Sequence, residues 1–285
     1  MSTQITTAFV NQFSANIALL AQQRGSLMRK AVRVESVTGE KAFFDQVGSA
    51  AAVQRTSRHA DTPLVTTPHS RRMVSLADYE WADLIDDQDK VRMLADPTST
   101  YAMAAAAGMG RAMDDVIITA ALGSSSTGSS GSTSTALPSG QKIVHGSAGL
   151  TIAKLINAKK ILDQNNVDPS IKRWIAVSPE QIEDLLNNTT VTSSDFNTVK
   201  ALATGEINSY VGFEFIVTNR LNDDGTSRQV IAWAEDGITL GVGKDMNARI
   251  DERADKSYST QVYAAMSIGS TRMEEEKVVE IACNE

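Results

Sequence analysis

Cysteine is almost absent from this 285-residue chain: Cys283 stands alone, so no internal disulfide can form and a reducing compartment is expected. Histidine is nearly as scarce. His59, Asp61 and His69 have prolines between the two histidines and no third strong ligand, so they do not complete a metal site. No apolar run approaches the roughly eighteen residues of a membrane span, and the N-terminal stretch lacks the charged, apolar, small-residue order of a signal peptide. The expectation is a chain made and kept in the cytoplasm, with no membrane contact. A broad basic face for gripping nucleic acid is also missing, because the net charge is -7, the isoelectric point is near 5.1 and aromatics make up only 5%.

The patterns of catalysis fail in turn. Gly241-Val242-Gly243-Lys244 resembles a phosphate loop, but Asp245 stands where Ser or Thr is needed and Ile238 where the first glycine belongs. No Gly-x-Ser-x-Gly elbow occurs, and the serines at 124 to 134 sit in low complexity that cannot hold a nucleophile still. Asp114 and Asp115 are adjacent on a helix and point about a third of a turn apart, which predicts a helix surface and not a carboxylate pair. Asp86, Asp87 and Asp89 lack the Gly and closing Glu of a calcium loop. Asn187-Asn188-Thr189 fits a glycosylation pattern that means little without secretion. No enzyme is expected: no catalytic, cofactor-binding or metal-binding residue stands out, and no cofactor is implied.

What is present begins with a long helix over Pro97 to Leu122. Asp96 serves as N-cap and Pro97 takes the first helical position, where its missing N-H costs nothing. Ala102, Ala105, Ala106, Met109, Met113, Val116, Ile117 and Ala120 recur at three- and four-residue spacing and predict one apolar stripe, with Arg111 and Asp115 as a solvated pair opposite. At 1.5 Å per residue the rod measures about 39 Å. The small residues Ala104 to Gly108 let another backbone come close.

Length suggests two domains. Residues before 34 hold Arg24, Arg29, Lys30 and Arg33 and no acid, a basic arm with a weak amphipathic helix over Thr7 to Leu20. Strand-like pieces follow at Ala31 to Val37, Lys41 to Val47, Leu64 to Thr67 and Arg72 to Tyr79. The small, polar stretch between, with Arg55 and Arg58, cannot build a core, so the region reads as a long hairpin that needs another subunit for stability. Asp78 to Asp96 carries seven acids against Lys90 and Arg92. Complementary charge steers association, so Arg55, Arg58, Arg71 and Arg72 are expected to meet Asp83, Asp86, Asp87 and Asp89 of the next copy. A solvated helix face is the plainer reading of those acids.

Gly123 to Gly140 is Ser/Gly-rich and predicts a long flexible loop. Beyond it the pattern is α/β: a helix over Thr151 to Asn165, a strand at Arg173 to Val177, a helix opened by Ser178-Pro179-Glu180-Gln181 and running to Asn187, and a strand at Phe213 to Thr218. Asp224-Gly225 marks a turn, after which Gln229 to Ala234, Gly237 to Val242, Asn247 to Asp255, Ser259 to Ser267 and Lys277 to Cys283 read as strands. The body is expected to be an α+β layer of residues 82 to 145 with 226 to 285, and 150 to 225 inserted between them.

The block from Thr67 to Ala121, TPHSRRMVSLADYEWADLIDDQDKVRMLADPTSTYAMAAAAGMGRAMDDVIITAA, resembles the corresponding block of major capsid proteins of tailed phages, in particular a podovirus-type group. The order of elements resembles the Hong Kong 97-like capsid fold, and Gly205 to Val217 resembles the strand-rich end of its A domain. The resemblance implies an N-terminal arm over 1–31, an E-loop with flanking strands over 32–81, and a P domain over 82–149 with spine helix 97–122 and flexible loop 123–140. It further implies an A domain over 150–225 and a β-rich second part of the P domain over 226–285. It implies hexamers and pentamers of the chain itself in an icosahedral shell around double-stranded DNA, assembled in the host cytoplasm. Scaffolding, portal and decoration proteins are the implied partners. Some relatives lock the shell by a Lys to Asn isopeptide bond, but Lys41 is the only lysine of the E-loop region and no such pair is identified. Three other readings stand beside it. A cellular nanocompartment of the same fold needs a cargo pocket, an α/β enzyme with a Ser/Gly lid needs convergent polar groups, and a tail or head-completion protein fits poorly with a long helix followed by an inserted domain.

Overall fold

The structure, a computed structural model, describes residues 22–59, 61–86, 98–187 and 209–285. The stretch Thr7 to Leu20, the helix start at Asp96-Pro97, the acids Asp87 and Asp89, and Gly205 to Ile207 lie outside the described residues. The chain divides into two compact units. The first comprises 1–26, 78–112 and 244–267; the second comprises 27–77, 113–243 and 268–285. Helix α1 (Thr98–Leu122) and strands β12 (Ile238–Arg253) and β13 (Ser259–Arg272) each contribute to both.

In the first unit the strand order is β12-β13-β4, where β4 is Ala77–Ile85. The strand thus runs six residues past the expected end at Tyr79, which puts Asp83 on a strand and not on a helix face. Side chains tie β4 to β13: Tyr263 donates to Glu80 at 2.9 Å, and the hydroxyls of Ser267 and Ser259 donate to Asp78 and Asp86. Gly110 of α1 lies against Gly25. A Cβ at position 110 would fall 2.3 Å from the Gly25 carbonyl carbon, so a close backbone approach occurs here, two residues beyond the Ala104 to Gly108 stretch where it is expected; at Gly108 the nearest atom is the Arg111 side chain, 3.7 Å from where a Cβ would stand. Arg111 donates to the Gln22 side chain and to Gln23 O at 2.9 and 3.2 Å. It does not pair with Asp115, because the chain crossing at Gly25 supplies a nearer acceptor.

In the second unit a six-stranded sheet has the order β7-β14-β11-β8-β10-β9, with β7 Lys142–Ile143, β8 Arg173–Val177, β9 Ser209–Tyr210, β10 Phe213–Val217, β11 Ser227–Ala234 and β14 Val278–Asn284. All five residues of β8 are buried, as expected of a central strand covered on both faces. Helix α2 (Ile152–Gln164) has Thr151 as N-cap, accepting from Lys154 N at 3.3 Å. It buries Leu155, Ala158 and Leu162 against the side of the sheet formed by β14 and β7. Two fully buried leucines contribute about 1.5–3 kcal/mol each, which outweighs the modest propensity cost of the helix's polar residues. Helix α3 (Pro179–Asn187) opens as its sequence predicts, with Gln181 accepting from Ser178 N at 2.6 Å. Because β11 and β14 pair in the same sheet as β8, the sheet draws strands from both sides of position 225/226.

The second unit also holds β1 (Arg33–Ser36), parallel to the first residues of β12, and a second four-stranded sheet of order β2-β3-β5-β6. Strands β2 (Lys41–Val47) and β3 (His69–Ser75) form an antiparallel hairpin, and β5 (Ser125–Thr127) and β6 (Thr133–Thr135) extend it. The Ser/Gly-rich stretch expected to be flexible is therefore in part a β-hairpin. Its turn closes through Gly131 N to Gly128 O, and its Ser and Thr backbone groups complete the open edge of β3. Leu64 to Thr67, expected as a strand, forms none: Leu64 is 97% exposed.

Candidate assembly surfaces

The β2–β3 ladder has two unlike faces. Alternation places Ala42, Phe44 and Gln46 with Ser70, Arg72 and Val74 on one face and Phe43, Asp45 and Val47 with His69, Arg71 and Met73 on the other. The second face is the open one. Phe43 and Val47 are exposed there, and the Arg71 guanidinium lies 5.5 Å from the Phe43 ring. Arg71 donates to Asp45 at 2.5 and 3.2 Å, which holds the Asp45 carboxyl below the usual carboxylate range and raises Arg71. Arg71 is thus neutralised on its own hairpin.

Beyond the ladder, Gly48 N donates to Pro68 O at 2.8 Å and closes a long terminal loop. Every described residue from 48 to 66 is exposed, including Val53, Leu64 and Val65. Arg55 and Arg58 sit in this loop, and Arg55 Nε donates only as far as Ser57 O, at 3.0 Å. Their own chain leaves these apolar side chains uncovered.

Arg72 requires a correction. Expected to reach the next copy, it is buried and satisfied inside its own chain: Nε donates to Met273 O at 2.7 Å and a terminal nitrogen reaches Glu275 at 2.5 Å. The reason is strand alternation, which turns Arg71 outward and Arg72 inward. Asp83 and Asp86, on and just after β4, accept from Leu84 N and the Ser259 hydroxyl.

Three further groups hold the second unit together: sequence reasoning passed over Arg272 and Glu285, and it expected Asp114 on a helix surface, whereas Asp114 is buried because the backbone of Leu27 and Met28 packs on that side of the helix. Arg272, at 0% exposure, donates to Ala121 O, Gly123 O and Thr135 O at 2.8, 2.7 and 3.0 Å, with Glu275 at 3.7 Å. It satisfies carbonyls at the negative end of α1 and joins them to β6. Burial pushes its pKa down. Asp114 is fully buried and accepts from Leu27 N and Met28 N at 3.1 Å each, while Asp115 pairs with Arg220 on the helix surface. The expected stripe is buried at Ala105, Met109, Met113 and Ile117. A second ridge at Ala107, Gly110, Asp114, Ile118 and Ala121 is buried as well, which the hydrophobic pattern could not reveal because its members include a glycine and an acid.

Glu285 accepts from Arg228 at 2.8 and 2.6 Å, from the Ser178 hydroxyl at 2.8 Å and from Gln181 at 2.5 Å. The Arg228 bonds above all hold its carboxyl below the usual range. A depressed folded-state pKa contributes stability above the unfolded value and loses it as pH falls through the folded value. Glu285→Gln is therefore expected to cost about 1 kcal/mol at neutral pH, with the gap to the parent closing in acid below the carboxylate range. Urea melts of both chains across that range check this. Burial pushes the Cys283 thiol up to about 12, so it stays protonated and unreactive.

Among the described residues no helix is long and apolar enough to cross a membrane, and no cluster of three or more His, Cys, Asp or Glu could hold a metal ion. Residues 5–285 match the family model described as phage capsid protein. No curated protein matches the chain. Solved structures do. The capsid structure of cyanophage P-SCSP1u aligns over 100% of this chain and 96% of its own, at TM-score 0.77 and 19% identity. The structure from Mycobacterium phage Che8 aligns over 96% and 97%, at 0.70 and 18%. The capsid of a native GTA particle aligns over 98% and 96%, at 0.68 and 12%. At such identities the likeness is one of fold, the Hong Kong 97-like α+β fold.

Proposed function

The chain belongs to the phage capsid protein family, and on that premise we propose that copies of it assemble as hexamers and pentamers into a closed icosahedral shell around double-stranded DNA. Family membership makes it a structural protein of the virion capsid. Assembly in the host cytoplasm, with scaffolding, portal and decoration proteins as partners, is what the family resemblance implies. One observation carries the proposal furthest: the 48–66 loop, with Val53, Leu64 and Val65 uncovered at the end of an ordered hairpin. A segment without a core of its own gains stability by lying on a neighbour.

The regions then take these roles. Residues 1–31 form the N-terminal arm and 32–81 the E-loop with its flanking strands. Residues 82–149 carry the spine helix, and 150–225 form the A domain that approaches the capsomer centre. Residues 226–285 return to the body, with β11 and β14 completing the sheet of the inserted region. Arg55 and Arg58 reach an acidic face of the adjacent copy, for which Asp83, Asp86, Asp87 and Asp89 are the candidates. Arg71 serves that contact less, being paired to Asp45, and Arg72 has no part in it.

Negative-stain electron microscopy with sedimentation of the purified chain, with and without a phage scaffold, tests the reading. Closed shells or six- and five-membered rings are expected, and a persistent monomer with scaffold supplied would overturn it. Arg55→Glu with Arg58→Glu is expected to cut shell yield about tenfold or more while leaving the melting temperature unchanged, since removal of central interface arginines costs about 1–2 kcal/mol each. Normal shells from that double variant would remove the proposed contact.

A further inference from the structure

Gln46 and Arg72 stand on the same face of the β2–β3 ladder, and both donate to one carbonyl. Gln46 Nε2 and Arg72 Nε reach Met273 O at 3.0 and 2.7 Å, and Met273 N donates in turn to Gly237 O at 2.8 Å. Glu275, two residues on, takes the other end of Arg72. Next to this, the fully buried Val74 and the carbonyl of Ser75 lie against Gly269. A Cβ at 269 would fall 2.0 Å from Ser75 O, so the strand can seat there only over glycine. Arg272, in the same turn, grips the last carbonyls of α1 and Thr135 O of the bracing hairpin.

Ladder hydrogen bonds hold β2 to β3 but do not say in which direction the pair leaves the body. That direction comes from contacts at the base, and those named here fall on Gly269 and, for every hydrogen bond and ion pair, on residues 272–275. We infer that the 272–275 turn is a socket that sets the direction of the β2–β3 hairpin relative to the C-terminal end of α1, with Gln46 and Arg72 as positioning residues, and that this direction governs shell curvature. The second half rests on the assembly reading; the first does not.

The test is a distance measurement in the unassembled full chain by double electron–electron resonance. Spin labels go at Val47→Cys, at the end of β2, and Ile156→Cys, on the exposed side of α2; both positions are exposed, and buried Cys283 stays unlabelled. The parent is expected to give one narrow distribution. Gln46→Leu with Arg72→Met is expected to broaden it about twofold, as for an element released from its base but still folded, and Gln46→Leu alone should broaden it less. Unchanged widths in folded variants would overturn the socket. If the double variant does not fold, Gln46→Leu decides alone in the same sense. Shells of altered diameter, tubes or unclosed sheets from the broadened variant support the curvature half, and shells of parent diameter overturn it. Failure of the parent to assemble bears on the assembly reading and leaves the distance result standing.

Discussion

An Arg272→Met chain is expected to unfold about 3–5 kcal/mol more easily than the parent, the usual consequence of removing one partner from a buried charged network. Methionine fills much of the same space, so the loss is electrostatic and not a cavity. Three carbonyls lose their donor, that of Ala121 in the interior and those of Gly123 and Thr135 half-buried, and Glu275 keeps Arg72 alone. Lysine should rescue little, because one ammonium cannot reproduce a planar fork that spans three acceptors. Urea denaturation of the unassembled protein reads the effect as a lower midpoint. A midpoint shift worth under about 1 kcal/mol would show that the carbonyls find other partners.

Asp114→Ala carries the second large effect, about 3 kcal/mol, because Met28 N in the interior and the half-buried Leu27 N are left without this acceptor. The damage should be local at first. Segment 27–32 loses its tether to α1, and trypsin should cut after Arg29 and Lys30 much faster than in the parent. Asp115→Ala is the matched control. Its pair with Arg220 is partly exposed on both sides, and an exposed pair is worth about 0–1 kcal/mol. Equal losses from the two neighbours would mean that burial is not what separates them.

The contrast between Asp114 and Asp115 shows where the sequence is legible and where it stops. Elements whose signals are local were readable to within a residue or so: β2 and β8 at their full extents, α2 behind its Thr151 cap, α3 behind Ser178-Pro179, and the end of α1. In each, the residues that specify the element lie within it. Asp114, Arg272 and Glu275 look like surface charges in sequence because their partners are far along the chain; 86 residues separate Met28 from Asp114 and 151 separate Ala121 from Arg272. The Ser/Gly stretch misled for a related reason. Its composition promises disorder, but it pairs with an edge that β3 already offers, and a strand completing a ladder needs little side-chain propensity of its own. For the acids after Tyr79 a solvated helix face is the plainer of the two expectations, whereas the alternation of Tyr79, Trp81 and Asp83 against Glu80, Ala82 and Leu84 carries the strand through. Of the surface arginines, parity within β3 separates Arg71 from Arg72, and parity is readable only once the inward face is known.

The grip of Met273 on the hairpin also orders events in time. Gln46 and Arg72 precede the carbonyl they share by 227 and 201 residues. A ribosome adding about 5–20 residues per second needs about 10–45 s to cover that gap. Throughout that interval the nascent hairpin can close its own ladder but has nothing to lean on at its base. If the 272–275 socket sets the direction of the hairpin, that direction is settled only late in synthesis, once Met273 has been added.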